Sequence, residues 1–294
     1  MSLRVNVELT NPGQFFACCG LLELADRRWP GAEGWFAGGE FCIECGGTLS
    51  QLLESVRRAD LLGELTPTLQ HERRALEVKK RLLKKSDKSL PPKEEARRKQ
   101  LGTLLREGNV RVGEPFDLLL DWWQDDADGN PKTWAGSQQV LRIASAAFEA
   151  SIRAAESGNL FGFTCVMRPV GDDASEDDKV EPFYFDGSRG VNARDIDIGF
   201  SPNKLDGMET HARPAVEFFA LVGLQRCRPW ATDTPRVFDY FTWAVPCSPA
   251  TLPAAVCGLL GDPRARGYRF ETRFRTGKKQ ATTFTPATPL GGSR

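Results

Sequence analysis

Asn11-Pro-Gly-Gln-Phe-Phe-Ala-Cys-Cys-Gly-Leu-Leu-Glu-Leu-Ala25 is the stretch whose reading decides the fold. Before it, Leu3-Arg-Val-Asn-Val-Glu-Leu9 alternates apolar and polar residues, the period of a strand. Asn11 and Pro12 then supply a turn and a helix start, because the missing N–H of proline has no partner in a first turn anyway. From Phe15 to Leu22 the helix is apolar on nearly every face, so it must be buried on more than one side. A second block, Arg213-Pro-Ala-Val-Glu-Phe-Phe-Ala-Leu-Val-Gly-Leu-Gln-Arg226, repeats its key features. Phe15-Phe-Ala-x-x-Gly20-Leu21 matches Phe218-Phe-Ala-x-x-Gly223-Leu224, and each glycine lets another backbone come close. Either the two are related core helices from related half-domains, or two apolar helices are alike by chance.

The chain has 294 residues, long for one core and suited to two lobes. It carries 39 Lys/Arg and 39 Asp/Glu, but they are segregated. Residues 71–111 hold fourteen basic against six acidic side chains, and 112–210 hold eight against nineteen. Residues 1–70 hold five against nine, and 211–294 twelve against five. Two basic blocks beside an acidic one suit polyanion contact on part of the surface. No apolar run is long enough to span a bilayer and no charged-then-apolar signal segment opens the chain, so a cytoplasmic protein is expected. Its eight cysteines lie mostly in apolar sequence, as reduced core thiols do. Cys42 and Cys45 form a lone C-x-x-C with no second pair, which favours two thiols on a strand over a zinc site.

Glu40–Cys45 reads as a strand, and Thr48 as the cap of a helix over Leu49–Arg58. Residues 71–111 read as a basic helical hairpin: one helix from His71 to Lys85, a break at Ser86–Pro92, and a second from Lys93 to Glu107. In it Lys79, Lys80, Lys84, Lys85, Arg97 and Arg98 are candidate phosphate contacts. A solvated insertion would carry charge too. Phe116–Trp123 reads as a buried strand, Trp134–Glu149 as a helix capped near Ser137, and Gly158–Val170 as a strand. Asp125–Asp128 and Asp172–Asp178 are acidic loops, the first lacking the remaining ligand positions of a calcium loop. Asp186-Gly-Ser-Arg-Gly-Val-Asn-Ala-Arg194 is a Gly/Asn-rich loop whose Arg189, Asn192 and Arg194 could meet a phosphate backbone or a base edge. Val237–Val245 and Tyr268–Phe274 are strands. In the latter Arg269, Arg273 and Arg275 oppose Tyr268, Phe270 and Phe274, and Lys278 and Lys279 sit in the following turn. That hairpin suits nucleic acid, although edge strands also carry charge against aggregation.

With only His71 and His211, a His-based triad or a multi-His metal centre is not expected, and there is no Walker A loop, G-x-S-x-G or dinucleotide fingerprint. No cofactor and no catalytic residue is expected.

The Asn11 and Arg213 blocks, Tyr184-Phe-Asp-Gly-Ser-Arg-Gly-x-Asn-Ala-Arg-Asp-Ile196 and the closing Phe284-Thr-Pro-Ala-Thr-Pro-Leu290 together resemble the compact large-subunit family of type I-U (also called I-G) CRISPR systems. The resemblance covers most of the chain. It implies a subunit of a Cascade-type surveillance complex, partnered by CRISPR RNA, target double-stranded DNA, backbone and processing subunits and the helicase–nuclease. It also implies a part in recognising the short flanking motif and separating the strands. The chain is small for such a subunit, and the family offers no residue-level site pattern to transfer.

The expected fold is α+β: two lobes with mixed or antiparallel sheets and packed helices, plus the basic hairpin insertion. The expected parts are 1–70 and 112–170 for the first lobe, 71–111 for the insertion and 171–294 for the C-terminal lobe. The expected function is a non-catalytic nucleic-acid-binding subunit. The alternatives are a metal-dependent nuclease built on the acidic loops and a scaffold that touches only protein.

Overall fold

A computed structural model describes residues 2–64, 67–84, 88–125, 130–136, 138–170, 179–189, 211–275 and 281–291, apart from the side chains of residues 67, 70, 107 and 189. Helix α1 runs over Pro12–Arg28. Asn11 caps it by accepting the Gln14 N–H at 3.4 Å, and every residue from Pro12 to Ala25 is buried. Helix α6, Pro214–Gly223, is buried along its whole length. The two cross in direct backbone contact. A Cβ placed on Gly20 would fall on the carbonyl of Phe219, and one on Gly223 would fall on the carbonyl of Phe16. In the two sequence blocks Phe16 aligns with Phe219 and Gly20 with Gly223. The contact is therefore reciprocal, as in an interface around a local two-fold axis. A chance likeness gives no reason for that reciprocity; a pair of matched core helices does.

Three antiparallel sheets surround this pair. The first orders β1 (Ser2–Asn6), β3 (Glu40–Glu44) and β2 (Glu33–Ala37). The second pairs β4 (Leu61–Gly63), β5 (Val110–Val112) and β6 (Leu118–Leu120). The third orders β10 (Thr282–Phe284), β9 (Gly267–Phe274), β8 (Val237–Phe241) and β7 (Trp230–Ala231), with β11 (Thr288–Pro289) also on β9. The first and third sheets are tied where Phe36 N–H donates to Trp243 O at 2.8 Å and the Trp243 indole donates to Gly34 O at 2.7 Å. Phe15 fills the space between them, 5.3 Å from Phe36 and 4.4 Å from Tyr240, ring centre to ring centre. On the far side α6 packs on α5 (Val140–Glu156) through Phe148 and Phe218, 5.1 Å apart. One apolar cluster runs from Leu3 to Ala287. The fold is α+β with antiparallel sheets, and among the described residues no helix is long and apolar enough to cross a membrane.

The remaining helices are α2 (Leu49–Arg58), α3 (Pro67–Lys84), α4 (Pro92–Glu107) and the short α7 (Leu252–Val256). Thr48 and Gln51 form a reciprocal capping box on α2, as the Thr48 reading expects. Four other expectations need correction. The strand expected over Phe116–Trp123 shrinks to β6, because Gln225 takes the N–H groups of Asp121 and Trp122 and the Trp122 indole donates to Leu221 O. Those bonds turn the backbone toward α6 into a short 3-10 turn. The helix expected from Trp134 starts at Val140, and Trp134 packs instead among Trp122, Trp123 and Phe183. The expected cap near Ser137 falls outside the described residues. Gly158–Val170 is irregular apart from one bridge, Cys165 with Ala212, although Phe161 and Met167 are buried. The strand expected over Val237–Val245 ends at Phe241.

Candidate nucleic-acid interface

Helices α3 and α4 lie between β4 and β5, whose ends pair Gly63 with Val110. They face each other through ion pairs along a stem: Lys79–Glu94 at 2.7 Å, Lys80–Glu95 at 3.3 Å, Arg97–Glu72 at 2.8 Å and Arg98–Glu77 at 2.8 Å. Arg97 grips Glu72 with two nitrogens, and Arg98 also holds Glu95 at 2.7 Å. The Arg98 hydrogen bond is the largest cause holding the Glu95 carboxyl down at about 2. Four of the six cations expected to reach phosphates are thus engaged within the stem. Lys84 is exposed and has no acidic partner among the described residues, and Lys85 lies outside them. Exposed Arg81, Lys88 and Lys93 share the end where α3 gives way to α4, again without an acidic partner among the described residues. The arm thus has a stem in which Lys79, Lys80, Arg97 and Arg98 are tied to carboxylates, and a cationic tip. Sequence reading missed Arg81, Lys88 and Lys93 because only the helix register tells stem from tip.

The described start of the Gly/Asn-rich loop is a buried polar anchor. Asp186, 1% exposed, accepts from Asn11 Nδ2 at 2.7 Å, from Ser188 Oγ at 2.7 Å and from Arg213 Nη1 at 3.1 Å. Fully buried Glu217, in the first turn of α6, accepts the N–H groups of Phe185 and Asp186, each at 3.2 Å. Buried carboxylates are tolerable only when so paired and hydrogen-bonded. Gly187 donates to Asn11 Oδ1 at 3.0 Å, and a Cβ there would press on Pro12 and the Thr285 carbonyl. The Gly187 side of the loop is therefore an anchor between the N-termini of α1 and α6. The Arg189 side chain, Asn192 and Arg194 lie outside the described residues. Asn11, Asp186, Arg213 and Glu217 are the anchoring residues that sequence reading missed, since partners so far apart in the chain leave no local signal.

In the third sheet, Arg269 is held bidentate by buried Asp239 at 2.7 and 2.9 Å, and Arg273 pairs with Glu271 at 2.7 Å. Both remain largely exposed on the sheet face. Arg275 departs from that face. It follows the last residue of β9, its side chain is 2% exposed, and its guanidinium lies 3.7 Å over the Tyr184 ring, reaching Glu181 at 3.3 Å. Lys278 and Lys279 lie outside the described residues. Phe274, shortly before them in the chain, and Gly187 of the anchor lie at opposite ends of β10. Phe274 pairs with Thr282 at one end, and Gly187 abuts Thr285 just past the other.

Elsewhere the chemistry is structural. Buried Glu23 is clamped by Arg226 at 2.6 Å and Arg27 at 2.8 Å; burial pushes its carboxyl up, and the two guanidiniums reverse this, leaving it below its ordinary value. Burial raises the Cys42 thiol, and Asp125 of the first acidic loop is paired with Arg228 at 2.6 Å. Among the described residues no group of three or more His, Cys, Asp or Glu side chains is placed to hold a metal ion. Residues 126–129 and 171–178 of the acidic loops lie outside the described residues. Compared with family models, with curated proteins and with solved structures, the chain matches none.

Proposed function

We propose that this chain is a non-catalytic nucleic-acid-binding subunit of a CRISPR RNA-guided DNA surveillance complex of Cascade type, working in the cytoplasm. Its partners in this reading are CRISPR RNA, target duplex DNA, the backbone and processing subunits and the helicase–nuclease. It contributes to flanking-motif recognition and strand separation. The arm is a basic insertion between β4 and β5, and the two lobes are organised around α1 and α6. The observation that carries the nucleic-acid part is the cationic tip of the arm, where Arg81, Lys84, Lys88 and Lys93 stand beyond the Lys79, Lys80, Arg97 and Arg98 ion pairs of the stem. Such a tip offers charge to phosphates without first breaking an internal pair. On the sheet face, Arg269 and Arg273 are exposed but each is paired with a carboxylate, so they rank second to the tip as phosphate contacts.

Ultraviolet crosslinking of the assembled complex to guide and target tests the reading. Adducts should map to the arm tip and to the sheet face that carries Arg269 and Arg273. Assembly that ignores salt, with no adduct on this chain, would make it a protein-only scaffold. Cleavage of labelled DNA with magnesium or manganese, lost when Asp125 and its neighbouring aspartates are replaced, would make it a nuclease.

A further inference from the structure

We infer that the cleft between the β7–β8 turn and the end of β9 binds one unpaired nucleotide, its base stacked on the Arg236 guanidinium; this rests on the nucleic-acid reading above and narrows it to single strands. The cleft has a volume of about 420 Å³ and is lined by Thr234, Pro235, Arg236, Glu271, Arg273 and Phe274, among others.

Arg236 is set apart from its neighbours in two ways. Its φ is +65°, a left-handed backbone that suits glycine and costs an ordinary side chain energy. The turn holds it there: Thr232 N–H donates to Val237 O at 3.0 Å, Val237 N–H to Thr234 O at 3.2 Å, and Thr272 N–H to Arg236 O at 2.9 Å. Secondly, Arg269 and Arg273 each have a carboxylate, whereas the Arg236 guanidinium has none among the described residues and lies 4.4 Å over the Phe274 ring. A guanidinium over an aromatic ring is drawn toward its face, and Arg236 is exposed, so its plane can stack on a second ring while its N–H edge stays within reach. Flat guanidinium faces are stacking surfaces for unpaired bases. Across the cleft Arg273, whose Nε is held by Glu271 at 2.7 Å, keeps its terminal nitrogens for the attached phosphate, and the second Glu271 oxygen can accept from a base N–H. In a duplex both faces of each base are already stacked, so only a single strand can fill the site.

The test uses the full chain with fluorescein-labelled oligo(dT), oligo(rU) and a mixed-sequence duplex. Arg236→Gly fits the left-handed backbone and so keeps the fold, with a thermal midpoint no lower than the parent's. Arg236→Lys keeps the charge and loses the plane, and Phe274→Leu removes the support beneath it. All three should weaken single-strand binding about tenfold, one stacked base's worth, and leave duplex binding unchanged. Equal weakening on single strand and duplex, or a Lys variant that binds like the parent, would reduce Arg236 to a phosphate contact and overturn the stacking site. Variants that bind like a binding-competent parent would remove the cleft and spare the general reading. A parent that binds none of the three probes would overturn both.

Discussion

Gly20 and Gly223 are glycines because each faces a carbonyl oxygen of the opposite helix, with no room for a side chain. Gly→Leu at either should cost about 1–3 kcal/mol or more, since the backbone it meets cannot turn aside. Urea unfolding measures this, and a variant as stable as the parent would deny the close crossing. The need for small residues was legible in the repeated Phe-Phe-Ala-x-x-Gly spacing; the reciprocity was not, because it depends on how two helices a domain apart meet. Glu23 gives a second test at this scale. Its folded carboxyl is held below the ordinary 4.5, so the Arg226 and Arg27 clamp contributes fully above that pH and is lost as pH falls through the folded value. Denaturant midpoints should decline with acid below pH 4.5, and Glu23→Gln should flatten that decline. A slope identical in the variant would mean that Glu23 is not the group responsible. In the sequence Glu23 is one acidic residue in a mostly apolar helix, and its partner Arg226 lies just past α6, so the clamp is visible only with the α1–α6 contact.

At the scale of elements, the arm was readable as two helices from composition, with a break over Ser86–Pro92, and the second helix starts at Pro92, one residue before the Lys93 expected. What composition cannot say is which charges face each other. In the structure the paired stem cations Lys79, Lys80, Arg97 and Arg98 serve the hairpin and the tip cations face solvent, so the two sets should respond differently to mutation. Replacing Arg81, Lys84, Lys88 and Lys93 with Ala should lower the salt dependence of DNA binding, by about one unit of slope for each phosphate no longer neutralised. Circular dichroism should show little change. Replacing Lys79 and Lys80 should instead loosen the helices, with a smaller effect on the slope. The opposite pattern would return phosphate binding to the stem. Acid offers an independent check, because Glu95 is held down at about 2 and Glu72 is also lowered, each by its arginine. The Glu95 and Glu72 pairs are intact above the ordinary carboxylate range and should weaken as pH falls below it, the Glu95 pairs last, toward 2. Sheet elements were less legible than helices: β6 and β8 are shorter than their apolar runs. Those runs continue past the strand ends into core packing made by Trp122, Trp123 and Trp243, which periodicity alone reads as more strand.

For the whole molecule, the arm and the core are separable on the same physical grounds. The core is one apolar cluster built on α1 and α6, whereas the arm contributes few buried side chains among the described residues, Leu90 and Leu101 being the main ones. Because Gly63 pairs directly with Val110, a short turn could join β4 to β5 in place of everything between them. Shortening that connection lowers the entropy cost of closing it, which offsets part of the burial that goes with Leu101. The excised chain should therefore fold cooperatively, with a modest drop in thermal midpoint. It should still bind single strands through the Arg236 cleft, and its duplex binding should weaken and become less salt-dependent. Urea denaturation together with salt titration on both probes reads these outcomes. Failure to fold would make the arm part of the core, and unchanged duplex binding would leave it a solvated projection.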